Sequence, residues 1–106
     1  MDDRIVKIIN KWKHILSLDG WFITVESINP KSVIYDKDCP NEDRYFVGIE
    51  SNQNKKIGTI YHDRDLTERD IIHELLHVKY PKKSEKWVND TEELLNNIIN
   101  YGYTNN

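Results

Sequence analysis

Ile5, Ile8, Ile9, Trp12, Ile15 and Leu16 recur at three- and four-residue intervals, with Lys7, Lys11, Lys13 and His14 between them. That spacing predicts an amphipathic helix over residues 3–17, with Asp19-Gly20 as its stop. The period then changes to two. From Trp21 to Ile28 the chain is β-branched and aromatic, with Phe22 and Thr24 on one face, Ile23 and Val25 on the other, and Asn29-Pro30 as a breaker. Further strands are predicted at Ser32–Tyr35 and Arg44–Ile49, separated by a loop that Pro40 and Asn41 mark. From Lys56 to His62, Ile57, Thr59 and Tyr61 alternate with Gly58, Ile60 and His62, which gives the last strand.

Beyond it the signals are helical again. The Thr67 hydroxyl can cap free amides and Asp70 can return a bond to the Thr67 amide, a capping box with Asp in place of Glu. The helix so started runs to about Tyr80, because Pro81 disfavours helical geometry in the residue before it. Lys82-Lys83-Ser84 makes the turn and Ser84 caps a last helix, whose stripe of Val88, Leu95, Ile98 and Ile99 reaches Gly102. Residues Tyr101 to Asn106 lack a core-forming pattern and read as a loose tail. Short strands between helices make the fold class α+β. The expected order is an N-terminal helix, a small three- to four-stranded twisted sheet, a helix carrying the candidate chemistry and a C-terminal helix. At 106 residues there is material for one core, so residues 1–106 form a single domain.

The 15 basic and 18 acidic side chains leave a net charge of -3 with no basic face, which argues against a nucleic-acid partner. No apolar run of the roughly 18 residues needed to span a bilayer occurs, and the start of the chain does not read as a secretory signal, so a soluble, cytoplasmic protein with no membrane span is expected. Cys39 is the one cysteine, and no internal disulfide can form.

The candidate chemistry lies in His73-Glu74-Leu75-Leu76-His77. On a helix, residues i and i+4 share a face one turn apart, so two imidazoles can converge on one divalent cation, with Glu74 flanking the same space. Leu75 and Leu76 then point toward a core. The pentad arises by chance in roughly one in several hundred chains of this length. Two His ligands do not complete a catalytic Zn2+ site, which takes three protein ligands and keeps a fourth position open.

A His-Glu-x-x-His pentad followed by a helix that supplies a Glu resembles the gluzincin metallopeptidases, and within them the minigluzincins of projannalysin type. The resemblance spans most of the chain in element order, and its motif is His73 to His77. It implies a zinc metalloendopeptidase acting on a peptide or unfolded protein, with Glu74 as general base. It also implies Glu85 as third ligand and, four residues on, Asn89 as the group that orients a ligand His. Folding the last helix back around the Pro81–Ser84 turn sets Glu85 near the level of His77 and Asn89 near His73. Glu92, on the same face as Glu85, is the competing third ligand. No residue fits the family's oxyanion donor by motif; His62, Tyr80 and Tyr61 are the candidates for substrate or oxyanion contact.

An extended peptide is expected along an open edge of the last strand. The segment from about 85 to 106 is the expected regulator of a latent, zymogen form, and the short turn before it would allow a homodimer by exchange of the C-terminal helix. Deformylases combine an upstream Cys with a similar pentad, but Cys39 lacks the glycine-flanked context and Leu76 stands where they have Asp. Metal-dependent ribonucleases of the three-His type fail, since no third His follows His77. A catalytically silent zinc-binding sensor or interaction module is the remaining alternative.

Overall fold

The computed structural model describes residues 2–28 and 47–104. The predicted strand at Ser32–Tyr35, Cys39 and the first residues of the strand expected from Arg44 lie outside them. The described elements are α1 (Asp3–Ile15), β1 (Phe22–Ser27), β2 (Val47–Asn52), β3 (Ile57–His62), α2 (Glu68–Lys79) and α3 (Glu85–Thr104), an α+β fold.

Asp2 caps α1 by accepting from the Arg4 amide, and the helix buries Ile5, Ile9 and Trp12. It ends before Gly20 for a local reason. Ser17 adopts a left-handed conformation with φ 58, its amide donates to the His14 carbonyl at 3.2 Å, and the Leu18 amide donates to Lys13 at 2.6 Å. That pair of bonds closes the helix as a Schellman motif, with serine in the position glycine usually fills.

The sheet order is β1-β3-β2. β1 runs parallel to β3, with Phe22 opposite Ile57, and β2 runs antiparallel to it, with Asn52 opposite the same Ile57. β3 is therefore paired on both sides, and the open edge expected on the last strand is not there. Among the described residues β2 is an outer strand of this sheet. It extends past Ile49 because Ser51 and Asn52, polar as they are, pair with Gly58 and Ile57 across the hairpin. Ile23, Gly58 and Ile60 turn their faces to the helices and are buried, while Phe22 and Ile57 stay exposed on the other face. A Cβ at Gly58 would meet Ile23 Cδ1 at 3.2 Å, a close approach that suits glycine.

Trp12, Ile60, Ile71, Ile72, Leu75, Leu76, Val78 and Val88 are fully enclosed, each such side chain contributing about 1.5–3 kcal/mol of transfer free energy. The capping box of α2 is complete: Thr67 Oγ1 accepts from the Asp70 amide at 3.1 Å and Asp70 Oδ2 accepts from the Thr67 amide at 2.9 Å. Tyr80 leaves helical geometry ahead of Pro81. Ser84 Oγ accepts from the Trp87 amide at 3.1 Å and starts α3. That helix folds back on α2 with Val88 buried and Leu95 and Ile99 packed at the edge of the core, whereas Leu94 and Ile98 face solvent. It continues past Gly102 to Thr104, so most of the expected tail is helical. No described helix is long and apolar enough to cross a membrane.

Candidate metal centre

α2 is anchored on its apolar side by Ile71, Ile72, Leu75 and Leu76, and this fixes the opposite side, with His73 and His77, toward α3. Their rings meet edge to face with centroids 4.9 Å apart, and the two Nε2 atoms are 3.2 Å apart. Glu85, the first residue of α3, spans both: Oε1 lies 2.6 Å from His73 Nε2 and Oε2 lies 2.9 Å from His77 Nε2. Ligand atoms from the three residues all fall within 4.8 Å of one another.

Zinc binds imidazole nitrogen at about 2.0–2.1 Å in a tetrahedron, which sets two ligand nitrogens about 3.3 Å apart. The spacing of 3.2 Å between the rings fits that edge. The carboxylate oxygens, at 2.6 and 2.9 Å from the ring nitrogens, sit inside that edge, and the exposed Glu85 side chain has room to withdraw. Two imidazoles and one carboxylate are a donor set suited to zinc with one position left for solvent.

Beside this cluster is a cleft of about 260 Å³ lined by Val47, Asp70, His73, Glu74, Glu85, Asn89 and Glu92. Glu74 is only 6 % exposed, and among the described residues no hydrogen-bond partner reaches its carboxylate. Burial first, then the charges of Glu85 and Asp70, push its carboxyl up to about 8. Desolvation disfavours the charged form, and like charges add to it.

Behind His73 stand two residues of α3, Asn89, which the resemblance implies as the orienting group, and Glu92. Asn89 lines the cleft, but it is Glu92 that approaches the far side of the ring, with Oε1 3.5 Å from Nδ1. Glu92 Oε2 accepts from Arg69 Nε at 2.7 Å, and this pairing raises the pKa of Arg69. Glu92 is thus placed behind the cluster, and Glu85 within it. Arg69 was missed from sequence, although it precedes His73 by one turn on the same face of α2, which is the signal that could have found it.

The three aromatic candidates lie elsewhere. His62 ends β3 with Nδ1 2.6 Å from the Arg64 carbonyl oxygen and lines a separate cavity with Asp2, Arg4 and Asp65. Tyr80 packs edge to face on Trp87 at 5.0 Å. Tyr61 lines the outer face of the sheet beside Glu50. No model of a known protein family, no curated protein and no solved structure matches this chain.

Proposed function

We propose that this protein is a zinc-dependent peptidase, with His73, His77 and Glu85 as metal ligands and Glu74 as general base. The observation that carries the reading is the convergence of two Nε2 atoms and a carboxylate within 4.8 Å next to the buried Glu74 carboxyl, to which no hydrogen bond runs among the described residues. When bound, zinc supplies Lewis acidity, polarising a carbonyl and acidifying a water. Glu74 lines the cleft, where its carboxylate can take a proton from water and return it to the leaving amine. In the metal-free protein its burial and the neighbouring Glu85 and Asp70 raise its proton affinity above that of a solvated Glu, and a bound cation would favour its ionised form. Val47 brings the end of β2 to the cleft, so an extended peptide adding to β2 would lie beside α2; main-chain pairing of this kind suits an unfolded protein substrate.

A catalytically silent zinc-binding module is favoured by one feature. Neither His62 nor Tyr80 is among the described residues lining the cleft, and apart from the candidate ligand His73 and the carboxyl groups, Asn89 is the one described lining residue whose neutral side chain donates. Zinc content of the wild type and of Glu74→Gln, with both assayed on an unfolded protein, separates the readings. Metal in both with hydrolysis by the wild type alone is expected. Metal in both with no hydrolysis favours the silent module, and hydrolysis that appears only after truncation near Asn100 marks the full chain as latent. Absence of metal in both, at excess Zn2+, overturns the metal reading.

A further inference from the structure

We infer that Glu92, held by Arg69, is the positioning residue that sets the ring orientation and tautomer of His73, an assignment that rests on the reading of His73 as a metal ligand. The two nitrogens of this ring face different surroundings. Nε2 points into the cluster, 3.2 Å from His77 Nε2 and 2.6 Å from Glu85 Oε1. Nδ1 points away from it, toward Glu92 Oε1 at 3.5 Å.

The carboxylate of Glu92 divides its oxygens in the same way. Oε2 receives the Arg69 guanidinium through Nε at 2.7 Å and through a second nitrogen, and among the described residues Oε1 faces the imidazole. The Glu92 side chain is only 10 % exposed, so its ionised form needs a counter-charge, and Arg69 provides it from the turn of α2 before His73. A fixed carboxylate beside Nδ1 favours the proton there and leaves the Nε2 lone pair for the cluster. The 3.5 Å separation exceeds a formed hydrogen bond, so the carboxylate acts through its charge and by limiting rotation of the ring.

The gluzincin resemblance implies Asn89 for this role. Asn89 and Glu92 stand one turn apart on the same side of α3, but among the described residues Glu92 is the one paired with His73 and clamped from α2.

The test compares Zn2+ affinity, by titration of the metal alone, in Glu92→Ala, Glu92→Gln, Arg69→Met and Asn89→Ala. Loss of an outer partner of a ligand His weakens metal binding roughly 10–100-fold. Glu92→Ala is expected in that range and Arg69→Met at its lower end. Glu92→Gln, which keeps an acceptor oxygen and nearly the same volume, recovers part of the loss, and Asn89→Ala stays close to wild type. The second readout needs no metal: ¹⁵N chemical shifts of His73 in Glu85→Ala, where the competing acceptor at Nε2 is gone. The Nδ1–H form is expected to dominate there and to decline when Glu92→Gln is added. A larger loss in Asn89→Ala than in Glu92→Ala overturns the inference, as does an unchanged tautomer. If wild-type protein takes up no Zn2+, the metal reading fails by itself, while the tautomer still decides what Glu92 does to His73.

Discussion

Glu68 and Glu74 stand on the same helix and meet opposite surroundings. Oε2 of Glu68 accepts from Lys11 Nζ and from Trp12 Nε1, each at 2.7 Å, and so ties α1 to the start of α2. Burial alone would raise its carboxyl, but those two donors outweigh burial and hold it below the usual carboxylate range. Glu74 is more deeply enclosed and has no such donor among the described residues, and its carboxyl is displaced upward. The contrast teaches that burial does not by itself say what a carboxylate is for. Glu68 is already neutralised by its neighbours and serves the fold, whereas the charge on Glu74 is stabilised only if something positive arrives beside it.

The largest effect separating the two is catalytic. Glu74→Gln is expected to lower peptide hydrolysis by about 10²–10⁴-fold, the usual contribution of a general base, while Glu68→Gln leaves the rate per folded molecule near wild type. A peptidase assay normalised to folded protein by circular dichroism checks both.

Next comes the response to a cation. Zn2+ at about one hundred times its dissociation constant should stabilise the wild type by roughly 2.7 kcal/mol, visible as a higher melting temperature. His77→Ala should lose most of that shift, and an equal shift in both chains would break the contrast.

The pH dependence of metal-free protein sharpens it further. The folded state raises Glu74 from 4.5 to about 8, so it binds the proton more tightly than the unfolded chain does. Its favourable contribution is complete below about 4.5 and is lost as pH rises through about 8, at a cost on the order of a few kcal/mol. Glu68 has the reverse sign: its contribution is present above the unfolded value of 4.5 and is lost on acidification. Urea midpoints from pH 4 to 9 should decline in the wild type and stay flatter in Glu74→Gln.

A smaller effect follows from removing the satisfied charge. Glu68→Ala takes away the acceptor of the buried Trp12 indole N–H and one partner of Lys11, and should cost about 1–3 kcal/mol in urea unfolding. Glu74→Ala at pH 9 without metal should cost less, because an uncompensated charge leaves together with the side chain's packing.

What the sequence revealed was whatever is local. The pentad needed only the i, i+4 geometry of a helix, and the caps at Thr67 and Ser84 needed only their next three residues; each stands where it was expected. The end of α1 was misplaced because a left-handed serine carries no composition signal comparable to glycine. Strand order was out of reach for a different reason. The parallel pairing of β1 with β3 joins segments far apart in the chain, and alternation of side chains states which face is buried but not which strand is the neighbour. The clamp of Arg69 and Glu92 behind His73 depends on the offset between two packed helices, which spacing along either one does not contain.

The short link from Tyr80 to Ser84 also bears on the order of folding. It joins the helix bearing both imidazoles to the helix that begins with Glu85, so the three donors come together by closing one small loop, a step with a modest entropy penalty. Joining β1 to β3 closes a much longer loop, and pairings distant in sequence form slowly. During refolding, the helical hairpin that carries the three candidate ligands should therefore assemble early, and if it takes up Zn2+, the cation added at the outset should speed the recovery of native structure more than one added at the end.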